Sequence, residues 1–395
     1  NAGGADVLDI GLSGTEQVYF ATFARELAGG IMVTASHNPA DHNGLKLVRA
    51  GARPISGDTG LDEIGALACD PALAPAGRPG RTAPADVLGE YVDFLLGRVD
   101  AGRLRPLKIV TDAGNGCVGP ALDRLAERLP CRLVRLRHEP DGTFPHGVPN
   151  PLLPENRALA AAAVREHGAD LGLAWDGDFD RCFFFDERGE FVEGYYLVGL
   201  LARATLRREP GARIVHDPRL TWNTIEVVRR AGGVPVMNKT GHAFMKERMR
   251  REDAAYGGEM SAHHYFREFA YCDSGMLPWL LVWREMSETG RPLSDLVGEM
   301  QRAYPASGEI NRRLPDPAAA LAAVEARYAP AALGQDRTDG LSLEFERWRF
   351  NLRMSNTEPV ARLNVEARGD RELMAAKTAE ILGLLDGLGA IAADH

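Results

Sequence analysis

The sequence predicts a multidomain α/β protein that ends in a smaller α+β domain. Three observations carry this reading. Short apolar runs alternate with helix-like stretches through most of the chain. Four of those runs end in polar and glycine residues, and after Tyr304 the pattern changes to alternating strands followed by a helix. The length of 395 residues suits roughly two to four domains.

Taken in order, Asn1-Ala2-Gly3-Gly4 reads as the C-cap of a helix, with glycine supplying the left-handed conformation. It leads directly into an apolar strand, Ala5–Ile10, so this sequence is expected to begin inside a domain: either a terminal segment is missing from it, or the first module is incomplete with an exposed sheet edge. A strand over Gly30–Thr34 runs into Ala35-Ser36-His37-Asn38-Pro39. Asp70–Pro84, rich in Pro, Ala and Gly, reads as a linker. Leu107–Thr111 runs into Asp112-Ala113-Gly114-Asn115-Gly116, and the proline-rich stretch Pro140–Pro154 is a long loop before a helix near Glu155. Leu171–Ala174 runs into Trp175-Asp176-Gly177-Asp178-Phe179-Asp180-Arg181, with a strand at Cys182–Phe185, and Arg213–His216 runs into Asp217-Pro218-Arg219. Ligands of open α/β sheets bind beyond the carboxyl ends of strands, so these four ends are expected to converge on one cleft. Alternating strands over Leu341–Arg353 and Val360–Arg368 surround a polar loop, and a helix over Arg371–Leu385 follows.

Composition bounds the function. The 46 basic and 55 acidic side chains leave a net charge of −9, which weighs against a sequence-blind nucleic-acid binder needing a basic face. Apolar runs such as Leu277–Trp283 fall short of the roughly 20 residues a membrane span requires. Five scattered cysteines without a CxxC pair make neither a disulfide framework nor a zinc site. No signal segment opens the sequence. A cytoplasmic enzyme or binding protein is expected; the oligomeric state is not legible.

Four motifs carry chemistry. Asp176, Asp178 and Asp180 alternate around Gly177; three such carboxylates repel unless they share a hard cation. An EF-hand would place glycine at the sixth position, where Arg181 stands, and Cys182–Phe185 is a strand, so that reading fails despite Glu187 at the twelfth position. Thr34-Ala-Ser36-His37-Asn38-Pro39, with Lys46 nearby, suits phosphoryl handling by free backbone N–H groups and an ammonium; plain turn chemistry is the alternative. A Ser-His-Asp triad is not expected, since neighbours on one strand point opposite ways. Glu259, Ser261 and His263 fall at alternate positions, which on an extended segment would put them on one side, suited to sugar hydroxyls or simply to an exposed polar strand. Arg353-Met-Ser355-Asn356-Thr357-Glu-Pro joins two strands, and its arginine with successive hydroxyl and amide groups would suit a phosphate cradle, a weak signal taken singly.

The four motifs stand in the order of the α-D-phosphohexomutase superfamily, and the sequence resembles its bacterial phosphomannomutase/phosphoglucomutase branch over almost the whole chain. The resemblance implies three related α/β modules with mixed sheets plus a smaller α+β C-terminal domain around a central cleft. The expected divisions are 1–84, 85–189, 190–303 and 304–395. It implies a phosphoserine at Ser36, and Mg²⁺ held by Asp176, Asp178, Asp180 and the phosphoserine. His37, Lys46, Arg181 and His242 would stand near the reacting centre. Arg219, Glu259, Ser261, His263, Arg353, Ser355, Asn356 and Thr357 would bind substrate. Arg219 departs from relatives with lysine there, which keeps charge but changes geometry. The expected activity is interconversion of hexose 1- and 6-phosphates, mannose and/or glucose, through a hexose 1,6-bisphosphate. The partners would be small sugar phosphates, with neither nucleic acid nor membrane. Three alternatives stand beside it: a phosphatase, a phosphoglucosamine mutase (whose sugar loop usually has glutamine where Met260 stands), and a non-catalytic sugar-phosphate binder.

Overall fold

The computed structural model describes residues 3–72, 74–355 and 358–393. The first module holds β1 (Val7–Asp9), β2 (Gly29–Val33), β3 (Leu45–Arg49), β4 (Arg53–Pro54) and β5 (Thr82–Pro84). The second holds β6 (Leu107–Asp112), β7 (Cys131–Leu136), β8 (Leu171–Trp175), β9 (Cys182–Phe185) and β10 (Phe191–Val192). The third holds β11 (Arg213–His216), β12 (Val234–Met237), β13 (Tyr256–Gly258), β14 (His264–Phe266) and β15 (Cys272–Asp273). The fourth holds β16 (Ile310–Arg313), β17 (Gly334–Asp336), β18 (Leu341–Glu344), β19 (Trp348–Met354), β20 (Val360–Ala367) and β21 (Ile391–Ala392).

The second and third modules share one topology. Their sheets run β7-β6-β8-β9-β10 and β12-β11-β13-β14-β15, the first three strands parallel and the last two antiparallel. β8 and β9 are buried at every position, which is why both read as unbroken apolar runs rather than alternating ones. The first module repeats the antiparallel part as β2-β3-β4. The turns β2–β3, β8–β9 and β13–β14 therefore occupy equivalent places, and each carries one of the expected motifs.

Four expectations need correction. Thr82–Pro84, inside the expected linker, is a strand parallel to β1; its proline sits at the strand end, where the missing N–H does little harm. The strand expected over Ala5–Ile10 shrinks to β1, closed by the Asp9 side chain accepting from the N–H of Gly11 at 2.9 Å. Leu341–Arg353 is two strands, β18 and β19, turned at Phe345–Arg347. Glu259–His263 is a hairpin turn, not an extended segment: Gly258 pairs with His264, the Glu259 N–H donates to the His263 carbonyl, and Ala262 takes a positive φ of 71°.

In the first module the β1–β5 pair and the β2-β3-β4 sheet are separate. An apolar groove of about 530 Å³ lies between them, lined by Val7, Leu8, Val18, Ile31 and Leu47 among others. Ile31 is 61% exposed on β2. Among the described residues no helix is long and apolar enough to cross a membrane.

One continuous core runs through the first three modules, from Tyr19 and Tyr91 through Trp175 to Trp279 and Trp283. The fourth has its own, around Leu343, Phe350, Val365 and Ile381. What ties it to the third is polar. Glu366, fully buried on β20, accepts from the N–H of Thr221 at 2.7 Å, from Arg349 Nη1 at 2.8 Å and from the Tyr195 hydroxyl. Arg349 also donates to the carbonyls of Pro218 and Arg219, both at 3.0 Å. A buried carboxylate with this many charge-assisted partners is costly to neutralise. Glu366→Gln is expected to lower unfolding stability by about 2–4 kcal/mol, read as a fall in the thermal midpoint. An unchanged midpoint would show that the clamp contributes nothing.

Candidate functional site

Ser36 sits in the β2–β3 turn with φ 54°, a left-handed conformation that a serine rarely adopts. Its N–H donates to Thr34 Oγ1 at 2.8 Å, holding the turn. That geometry overturns the expectation that Ser36 and His37 diverge: the loop is not extended, and Ser36 Oγ lies 3.1 Å from His37 Nδ1. His37 Nδ1 also takes a contact from Arg181 Nη2. Among the described residues no acid is hydrogen-bonded to the imidazole as a hydrolase triad requires. Instead the Ser36 hydroxyl donates to Asp176 Oδ2 at 3.1 Å, across the boundary between modules.

The β8–β9 turn brings Asp176, Asp178 and Asp180 together, buried, with one oxygen from each within 4.8 Å of the others. Gly177 is required there because a Cβ would collide with the Ser36 carbonyl oxygen. Asp178 Oδ2 accepts from Thr15 Oγ1 at 2.6 Å, Thr34 Oγ1 at 2.9 Å and Lys46 Nζ at 2.7 Å; Lys46 also reaches Asp180 Oδ2 at 2.6 Å. Arg181 Nε donates to Asp176 Oδ2 at 2.8 Å. Burial, reinforced by Asp180 and Asp178 against the opposing Arg181, pushes the Asp176 carboxyl up to about 7. Burial acts the same way on Asp180, but Lys46, helped by Arg181, outweighs it and holds that carboxyl low. Burial opposes the charge of Lys46, yet the three carboxylates raise its pKa. Asp178 Oδ1 and Asp180 Oδ1 are buried without a hydrogen-bond partner. Two orphaned carboxylate oxygens beside a third acid are donors that a hard divalent cation takes, so the residues present fit a metal.

The β13–β14 turn continues the wall. His263 Nε2 lies 3.8 Å from Asp180 Oδ1, and its Nδ1 lies 3.4 Å from Ser261 Oγ and 3.7 Å from Glu259 Oε2. Glu259 accepts from the N–H of Gly241 at 2.9 Å and from the Tyr265 hydroxyl; burial raises its pKa. His242, next to Gly241, begins the helix His242–Glu252. Burial, with Lys246 adding, lowers His242 to about 4; burial and then Arg181 lower His37 to about 4; burial lowers His263 too.

Beyond Ser261 the wall becomes cationic. Arg219 Nη2 donates to Asp217 Oδ2 at 2.7 Å and to Ser261 Oγ at 3.3 Å. Its Nη1 reaches Glu309 Oε2 at 3.4 Å, and Arg353 donates to the same oxygen at 3.1 Å. Arg362 donates to Glu309 Oε1 at 3.5 Å. The Ser355 N–H donates to the Val360 carbonyl at 2.8 Å; Asn356 and Thr357 lie outside the described residues. Separately, a cavity of about 720 Å³ opens between the first two modules beside Ser36 and Asp178.

The structure thus brings Ser36, His37, Lys46, Arg181 and the three aspartates into one cluster, with Glu259, Ser261, His263, Arg219 and Arg353 continuing from it. Sequence reasoning missed Thr15, Asp217, Glu309 and Arg362. Asp217 carried a signal, since it directly follows β11; the others had none.

A three-fold repeat of α/β modules, a capping α+β domain, and a serine set against a buried carboxylate trio define a member of the α-D-phosphohexomutase superfamily. Comparison with known proteins agrees. The phosphoglucomutase/phosphomannomutase alpha/beta/alpha domains I, II and III match residues 1–68, 89–189 and 193–304, and the C-terminal domain matches 309–383. A phosphomannomutase of Salmonella montevideo is 60% identical over 390 residues, 97% of this chain and 86% of that protein. A protein of Xanthomonas campestris named phosphohexose mutases is 58% identical, covering 98% and 86%. The crystal structure of a phosphoglucomutase/phosphomannomutase family protein from Burkholderia thailandensis is 32% identical. It superposes with a TM-score of 0.86 over 99% of this chain and 85% of that one. The chain belongs to the phosphoglucomutase/phosphomannomutase family.

Proposed function

We propose that the protein interconverts hexose 1-phosphate and hexose 6-phosphate, with mannose phosphates as substrates and glucose phosphates as the second pair. The observation that carries this is Ser36 Oγ at 3.1 Å from Asp176, at one end of a polar wall that ends in arginines. The names of the relatives at 60% and 58% identity support the substrate class. Met260, where a glutamine would favour an amino sugar, supports a neutral hexose.

Ser36 carries the phosphoryl group between turnovers. A sugar hydroxyl attacks the phosphorus, the bond to Ser36 Oγ breaks, and the hydroxyl proton passes to a base; the product is a hexose 1,6-bisphosphate. The intermediate turns over, returns its other phosphoryl group to Ser36 and leaves as the isomer. Phosphoryl transfer asks for alignment and charge neutralisation more than covalent help. Lys46 and Arg181 supply fixed positive charge, and His37, His242 and His263 are imidazoles kept neutral, the form that accepts a proton. Asp176, Asp178, Asp180 and the serine phosphate would hold Mg²⁺, which when bound supplies Lewis-acid stabilisation of the transferring group. Glu259, Ser261 and His263 read the hydroxyls, and Arg219, Arg353, Ser355, Asn356 and Thr357 hold the phosphate that is not reacting. The units 1–84, 85–192, 193–303 and 304–395, with the second boundary moved from 189 because β10 (Phe191–Val192) completes the second sheet, divide these tasks as serine, metal, sugar and phosphate domains.

Incubation with mannose 1-phosphate and Mg²⁺, followed by coupled detection of the 6-phosphate and of free phosphate, tests the reading. Isomerisation without stoichiometric phosphate release is expected. Phosphate release alone would make the protein a phosphatase, and binding without either product would make it a sugar-phosphate binder.

A further inference from the structure

Glu309 lies immediately before β16, between the third and fourth modules, in a position none of the expected motifs covers. Three guanidinium groups from three separate elements converge on it. Arg219 follows β11, while Arg353 and Arg362 stand directly opposite each other on β19 and β20. Like charges facing across an antiparallel pair repel, and here the two side chains are only 14% and 31% exposed. Arg219 is 4% exposed. Burial opposes ionisation of Glu309, but Arg219, Arg353 and Arg362 prevail and bring its carboxyl down to about 2.

The carboxylate leaves much of this cluster unused. The Nε atoms of Arg219, Arg353 and Arg362 are all buried without a partner. With Asp217 paired to Arg219 at 2.7 Å, three cations face two anions, and the remaining charge of +1 favours an incoming phosphate. Without substrate, Glu309 offsets the repulsion between Arg353, Arg362 and Arg219. With substrate, the same carboxylate stands against the incoming phosphate.

Resting on the mutase reading, we propose that Glu309 is a resident counter-ion of the phosphate-binding arginines, which competes with the substrate's non-reacting phosphate and limits how tightly it is held. A phosphate held too firmly would slow the turnover of the bisphosphate and the departure of product. Glu309 is a positioning residue in this account; it touches no reacting atom.

Inorganic phosphate is the probe, titrated calorimetrically against the full chain. Glu309→Gln keeps the shape and removes the charge, and is expected to bind phosphate about tenfold tighter, with KM for the sugar phosphate and kcat both lower. Arg362→Gln is expected to weaken phosphate several-fold, which locates the binding at the arginines. If Glu309 merely props the arginines in place, Glu309→Gln will bind phosphate more weakly or equally, and either result overturns the proposal. Should that variant not fold, Glu309→Asp draws the carboxylate back by one methylene and is expected to tighten phosphate about threefold; no tightening overturns it. The titration needs no turnover. Tighter phosphate in a protein without mutase activity would sink the mutase reading alone, and normal mutase activity with unchanged phosphate would sink only the role of Glu309.

Discussion

Ser36→Ala is expected to remove mutase turnover, with kcat falling on the order of 10⁴-fold or more, while mannose 1-phosphate still binds within a few-fold of the native affinity. The loss is this large because no neighbour can stand in as the phosphoryl carrier. His37, the nearest nucleophilic side chain, has its Nδ1 turned to Arg181 and Ser36. The binding residues, by contrast, are anchored elsewhere: Glu259 by Gly241 and Tyr265, Arg219 by Asp217. The fold should hold as well, since the turn is braced by the Ser36 N–H on Thr34 rather than by its hydroxyl. A coupled assay together with substrate titration checks both halves. Full activity in the alanine variant would remove the phosphoserine from the mechanism.

Asp178→Asn is expected to lower Mg²⁺-dependent activity on the order of 10²-fold and to raise the Mg²⁺ concentration needed for half-activity. The reason lies in how the two carboxylate oxygens are used. Oδ2 accepts from Thr15, Thr34 and Lys46, all donors. Oδ1 is buried and open. An amide has one acceptor end only. Turned one way, its NH₂ faces three donors; turned the other, it faces the cation position. Lys46 keeps Asp180 as a partner, so the thermal midpoint should move by no more than about 5 °C. Turnover by the native protein in the presence of a strong chelator would count against the metal assignment.

Much of this site was legible because its parts are contiguous in the chain. Asp176 to Arg181 and Thr34 to Pro39 are single turns, so the residues that act together are written together. What escaped was assembled from a distance. Thr15 meets Asp178 across 163 positions, and an isolated threonine at the start of a helix announces nothing. Glu309 and Arg362 gain meaning only through the register that sets Arg362 opposite Arg353. The alternation of Glu259, Ser261 and His263 suggested a pleated strand, yet the three meet because the chain reverses there, and the positive φ of Ala262 that permits it left no trace in residue type. Ser36 misled in the same way: a left-handed serine cannot be distinguished from an extended one by its name. At the level of the fold, the fully buried β8 and β9 were the plainest signals. Thr82–Pro84 was the faintest, because composition there argued for a connector while a single parallel neighbour made it a strand.

Ser36, the Asp176, Asp178 and Asp180 trio, and the Glu259, Ser261 and His263 set each close an antiparallel pair at the same point of a repeated module. Each loop is framed by its own two strands, so a change of length or chemistry in one leaves the registry of the other two untouched. Such an arrangement lets sugar preference drift while the phosphoryl machinery stays fixed, and lets a defect in one component be separated cleanly, by exchange of a single hairpin tip, from defects in its siblings.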